Sequence, residues 1–176
     1  MKKFSALFFF LIVFTSMHAQ NFVACWASGH DEYQQIPAPQ NLQHDSRSVT
    51  FQITYTGFDS TKQGAFQAAA DIWSNMIFGT VPIKYNVILT PLTPGLLGIT
   101  FPNGRKDFTN APMANTWYAT SLANQIAGTE LNPGENDVDL FLNANINWYW
   151  GTDGNCPSGK YDFESIALHE MCHGLG

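Results

Sequence analysis

Between Val49 and Ile77 the apolar residues change period from two to about 3.6, and that switch constrains the fold class more than any other feature. Val49, Phe51, Ile53 and Tyr55 alternate with Thr50, Gln52, Thr54 and Thr56, the pattern of a strand with one buried face. Gly57 breaks the alternation and Asp59-Ser60 offers a helix cap. Phe66, Ala69, Ala70, Trp73, Met76 and Ile77 then recur at helical spacing, up to a stop at Gly79. The interleaving continues. Residues 81–89 read as a second strand. Residues 91–104 read as a long loop region with one or two short strands, punctuated by Pro91, Pro94, Gly95, Gly98, Pro102 and Gly104. Residues 116–127 read as a short helix stopped by Gly128, 131–136 as a turn-rich loop, and 137–142 as another strand. Asp162 caps a last helix running through Phe163 and Ile166 to His173. Strands and helices mixed in this way, without repeat or linker, predict one α+β unit.

The N-terminus carries a different signal. Lys2 and Lys3 precede an apolar run from Phe4 to Phe14, which has the length of a secretory h-region and is too short to span a bilayer. Ala19 supplies a small residue for cleavage. The expected organisation is a signal peptide over 1–19, an irregular lead-in or short pro-segment over 20–48, and a folded domain over 49–176. An uncleaved anchor and a lipid-modified Cys25 are the competing readings of this terminus. Lys and Arg total 8 against 14 Asp and Glu. Removing Lys2 and Lys3 leaves 6 against 14, a net charge of −8. Such a surface repels phosphate backbones and anionic lipid, so nucleic acid and, after signal removal, membrane are excluded as partners. The expected location is extracellular.

The chemistry is concentrated in Leu168-His169-Glu170-Met171-Cys172-His173, an H-E-x-x-H pattern on the last predicted helix. Residues four apart share a helical face, so His169 and His173 can present imidazole nitrogens to one Zn²⁺ at about 2.0–2.1 Å. Glu170 is rotated by about 100° from His169. It is placed beside the metal rather than on it, where a carboxylate can take a proton from a water and pass it to a leaving amine. A surface or core helix with two incidental histidines is the bland alternative.

With Gly174-Leu175-Gly176 the run becomes H-E-x-x-H-x-x-G, which resembles the metzincin-type zinc metalloproteases. The resemblance implies His169 and His173 as metal ligands, Glu170 as catalytic base and Gly176 as the residue that turns the chain toward a third His. That His, and the methionine turn beneath the metal, would lie beyond Gly176, so the chain reads as C-terminally truncated and inactive by itself for lack of a third ligand. A looser similarity extends to secreted bacterial metallopeptidases with an L-H-E-x-x-H-G-L-G motif. It rests on Trp73, Val81-Pro82-Ile83, Leu97-Gly98, Trp117-Tyr118, Leu122-Ala123 and Leu168 to Gly176. It implies a zincin-like N-terminal subdomain: a twisted mixed sheet, a backing helix, and the zinc helix at the C-terminal end.

The mature chain has three cysteines, Cys25, Cys156 and Cys172. A Cys156–Cys172 bridge would pin the last loop to the zinc helix; a partner beyond Gly176 competes with it. Cys25 can also be read as a thiolate lock reaching the zinc from a pro-segment, although its neighbours match no known pro-segment motif. His30 and His44 read as solvated surface residues. Trp148-Tyr149-Trp150 reads as loop packing over the core or the cleft wall, with carbohydrate stacking as its alternative. The functional expectation is a secreted zinc endopeptidase acting on protein or peptide substrates. A non-catalytic adhesion or binding domain of the same shape, and a cell-wall peptide amidase, are the alternatives.

Overall fold

The computed structural model describes residues 23–26 and 48–176. The expected signal peptide, most of the lead-in, and His30 and His44 lie outside the described residues. Twelve elements follow one another: β1 (Val23–Trp26), β2 (Phe51–Thr56), α1 (Ser60–Met76), β3 (Ile83–Thr90), β4 (Leu96–Pro102), β5 (Gly104–Arg105), β6 (Tyr118–Ala119), α2 (Thr120–Ala127), β7 (Val138–Asn143), β8 (Trp148–Tyr149), β9 (Tyr161–Asp162) and α3 (Phe163–Leu175). Five strands form one mixed sheet in the order β1-β4-β7-β3-β2. β2, β3 and β7 run parallel, while β4 is antiparallel to β7 and to β1. The fold class is therefore α+β, with α1 as the crossover between the parallel pair β2 and β3.

Side-chain alternation divides the sheet. Ile83, Tyr85 and Val87 of β3 and Val138, Leu140 and Leu142 of β7 are buried, and they point to the face covered by α1 and α3. Phe66, Ala69 and Ala70 of α1 and Phe163, Ala167 and Met171 of α3 complete that core. The opposite face is more polar. There Asn86 donates to Asp139 at 2.9 Å, and Lys84 pairs with Glu130.

The caps follow the sequence. Asp59 accepts from Lys62 N and Asp162 from Ser165 N, each at 3.0 Å. Gly128, at φ 69°, closes α2 in the left-handed conformation. Three expectations need correction. Helix α1 ends at Met76 rather than at Gly79, because Ile77 is already extended, and Met76 is exposed rather than part of the core stripe. Helix α2 begins at Thr120, the preceding residues being used for the β5–β6 hairpin. The region punctuated by Pro and Gly between 91 and 104 contains β4, a seven-residue strand, rather than mainly loop. Asn143 holds the entry to that strand: its side chain accepts from Leu92 N and donates to Leu96 O at 2.7 Å.

Trp148, Trp150, Tyr161 and Phe163 pack edge to face or tilted. Trp148 is buried and its indole donates to Asn143 O at 2.8 Å. The aromatic cluster is thus a packed link between the β8–β9 pair and the start of α3.

Candidate metal centre

Helix α3 is held from several directions. Tyr85 of β3 donates its hydroxyl to Met171 O at 2.8 Å. Trp73 of α1 donates to Leu168 O at 3.2 Å. Ser121 of α2 donates to Gly174 O at 2.5 Å, and Thr100 of β4 lies 3.1 Å from Glu170 O. Gly174 is buried within the helix, and a Cβ there would stand 2.5 Å from the Tyr85 hydroxyl and 2.7 Å from Val138. No side chain fits, so α3 lies directly on β3 and β7. Gly176, the last residue of the sequence, has φ 111°, a value glycine adopts without steric cost.

His169 and His173 lie one turn apart on the exposed side of α3, with their Nε2 atoms 3.0 Å apart. Two nitrogens bound to one tetrahedral Zn²⁺ at about 2.0–2.1 Å are separated by roughly 3.3 Å. The imidazoles therefore need only a few tenths of an ångström to share a metal. Burial, and then the neighbouring His169, lower the His173 pKa. Both effects favour the neutral imidazole that ligates metals.

Glu170, about 100° around the helix from His169, is fully buried against β4. Thr100 holds Oε2 through a 2.5 Å hydrogen bond. Oε1 has no hydrogen-bond partner among the described residues. Burial pushes the carboxyl up to about 7, against the lowering effect of the Thr100 hydroxyl. Gly98 of β4 makes the arrangement sterically possible: a Cβ on it would lie 2.8 Å from Oε1 and 2.9 Å from Cδ and Cγ. The orphaned oxygen, the paired imidazoles and their nitrogen–oxygen donor chemistry fit a zinc site. Cys25 of β1, His169 and Glu170 also converge, one potential ligand atom of each lying within 4.8 Å of the others.

His169 and His173 are thus brought together as their spacing predicts, whereas Glu170 groups with His169 and Cys25 and not with His173. The Cys156–Cys172 bridge is not formed. Cys172 is an exposed free thiol, and Cys156 is a free thiol whose Sγ lies 3.6 Å from Lys160 O. The reason is axial distance. Cys156 precedes the helix, whereas Cys172 lies ten residues beyond the Asp162 cap, roughly 15 Å along the axis at 1.5 Å per residue, and a disulfide needs Cα atoms within about 7 Å. Sequence reasoning missed Thr100 and the packing role of Gly98. The signals were a hydroxyl and a glycine inside an otherwise apolar strand. No protein-family model, curated protein or solved structure matches this chain.

Proposed function

We propose that this chain carries the catalytic core of a secreted zinc-dependent peptide hydrolase of metzincin type, with a zincin-like sheet and helix arrangement. The observation that carries the reading is the pairing of two imidazoles 3.0 Å apart with an adjacent, fully buried carboxyl whose Oε1 has no partner among the described residues. A structural helix has no use for that combination, because a buried carboxyl with an orphaned oxygen is destabilising.

His169 and His173 hold the metal as neutral imidazoles. A bound Zn²⁺ supplies Lewis acidity, polarising a peptide carbonyl and making a water acidic near neutral pH. Glu170 is the proton carrier. Thr100 fixes Oε2, which leaves Oε1 as the atom that accepts a proton and returns it to the departing amine. A carboxyl whose pKa lies near neutrality suits both steps, since it neither holds nor releases the proton too strongly. Gly98 of β4, a strand that lies between β1 and β7 in the sheet, leaves room for this carboxyl.

The test is caseinolysis by the zinc-loaded full-length protein beside its Glu170→Ala variant, with zinc content measured on both. One zinc per chain in both proteins, with cleavage by the wild type only, supports the reading. Zinc binding without cleavage of casein or of cell-wall peptide favours a non-catalytic binding domain. Failure of both proteins to take up zinc overturns the metal centre altogether.

A further inference from the structure

Among the described residues six large hydrophobic side chains are exposed, and three of them, Met113, Trp117 and Leu122, fall within one ten-residue stretch. That clustering makes a patch rather than scattered surface residues. Met113 and Trp117 belong to the loop that joins β5 to β6, and Leu122 to the first turn of α2. The loop has a defined shape. Asp107, Asn110 and Asn115 hold left-handed conformations at φ 53°, 66° and 59°, which Asp and Asn tolerate better than other side chains. Asn115 N donates to Asp107 Oδ1 at 2.7 Å, and Met113 N donates to the Tyr118 hydroxyl at 3.1 Å. Tyr118 in turn packs edge to face on Phe108, with centroids 5.4 Å apart. Trp117 rests on Gly104, where a Cβ would stand 3.1 Å from its Cε3. It is nevertheless 64% exposed, and Met113 63%.

The patch adjoins the metal centre on two sides. Gly176 is three residues past His173, about 4.5 Å along α3, and a Cβ on it would lie 3.2 Å from Leu122 Cδ2. Gly104, under Trp117, follows Thr100 by four residues, about 13 Å of extended chain, and Thr100 holds Glu170. An extended polypeptide bound at the centre can therefore reach Trp117 about four residues from its reacting bond. Charge selects the occupant. Arg105 pairs with Glu135 at 3.4 Å and Lys106 with Asp107 at 4.0 Å, so the two cations beside the patch are balanced. The whole chain carries a net charge of −6, which opposes a second copy docking here. A locally neutral apolar surface suits an uncharged, apolar stretch of another polypeptide. An exposed indole and a flexible thioether accept varied side chains.

We propose that Met113, Trp117 and Leu122 form a docking surface for an apolar stretch of the polypeptide substrate, remote from the bond that is cleaved. The inference rests on the peptide-hydrolase reading above and names the substrate class: extended or unfolded polypeptides with an apolar segment about four or more residues from that bond. Peptides that end before the patch lose this contact. The surface therefore favours long chains over short ones.

Two substrates separate docking from hydrolysis: casein, and a peptide of about six residues, too short to reach Trp117 from the metal centre. The zinc-loaded full-length protein is compared with Met113→Ser, with the Met113→Ser/Trp117→Ala double variant, and with Met76→Ser, which removes an exposed apolar residue from the end of α1. Binding is read separately, by fluorescence anisotropy of a labelled peptide carrying a Leu-Phe-Leu segment, against a control peptide with Ser at those positions. The double variant should bind the apolar peptide at least about tenfold more weakly. It should raise KM for casein and lower the ratio of casein to short-peptide kcat/KM by a similar factor. Met113→Ser alone should move the same readings in the same direction, which keeps the test independent of how Trp117 supports the loop. Met76→Ser should match the wild type. Unchanged binding and an unchanged ratio in the double variant, or an equal loss in Met76→Ser, overturns the docking surface, while cleavage of the short peptide keeps the hydrolase reading. A wild type that cleaves neither substrate, yet binds the apolar peptide through Trp117, overturns the hydrolase reading and leaves the docking surface standing.

Discussion

Replacing Glu170 with methionine should stabilise the metal-free protein, and the gain should depend on pH. Glu170 is fully buried, and its pKa rises from the ordinary 4.5 to about 7, chiefly through burial. An acid whose folded-state pKa is raised contributes fully to stability below its unfolded value. It loses that contribution as pH rises through the folded value. A rise from 4.5 to about 7 corresponds to roughly 3 kcal/mol at alkaline pH, at about 1.36 kcal/mol per tenfold change, and most of it is lost between pH 5 and pH 8. Methionine has similar length, fills irregular space and carries no charge. Thermal or urea unfolding in the presence of a chelator, on wild type and Glu170→Met at both pH values, measures the effect. Taking the difference between the two proteins cancels the titration of groups they share. The variant should be nearly level with the wild type at pH 5. At pH 8 it should exceed it by roughly 2–3 kcal/mol, or roughly 4–12 °C in Tm for a chain of this size. If the difference stays within about 0.5 kcal/mol at both pH values, or if the variant is weaker at pH 8, Glu170 is not the strained buried carboxyl described here.

Other perturbations test the surrounding contacts. Thr100→Val keeps the β-branched shape but removes the hydroxyl bound to Oε2; it should cost about 1–3 kcal/mol near neutral pH by denaturant unfolding, and the cost should shrink in a Glu170→Met background. Gly98→Ala places a methyl 2.8 Å from Oε1; it should lower stability by about 1–3 kcal/mol and displace the carboxyl, so peptide hydrolysis should fall more than zinc binding. Zinc should raise Tm in a concentration-dependent way, by about 2.7 kcal/mol of stability at a hundredfold excess over Kd, and His173→Ala should abolish that response in a calorimetric scan. Ser121→Ala removes the donor to Gly174 O and should cost about 1 kcal/mol without changing the metal affinity.

Local patterns were legible in the sequence where a single element decides them. The alternation of Val49 to Tyr55, the Asp59 and Asp162 caps and the Gly128 stop all report chemistry within a few residues, and each appears in the structure close to its expected place. The His169–His173 pairing belongs to the same class, because helical geometry alone brings residues four apart together. β4 was under-read for the opposite reason. Gly98 weakens its strand signal, and the flanking prolines suggest a loop; only the packing of Gly98 against Glu170, 72 positions later in the chain, explains why a glycine stands there. Strand β1, inside a segment that reads as an irregular lead-in, was hidden in the same way, since it has four residues and its partner is β4. The disulfide expectation failed because nearness along the chain was taken for nearness in space across a rising helix.

The proposed metal centre requires His169 and His173 to hold one metal ion beside Glu170. Isothermal titration of the chelator-treated protein with Zn²⁺, alongside the His169→Ala/His173→Ala double variant, tests it most directly. One site per chain is expected in the wild type and none in the double variant. A wild type that binds no zinc, or a double variant that binds it equally well, rules out a metal centre on these two histidines.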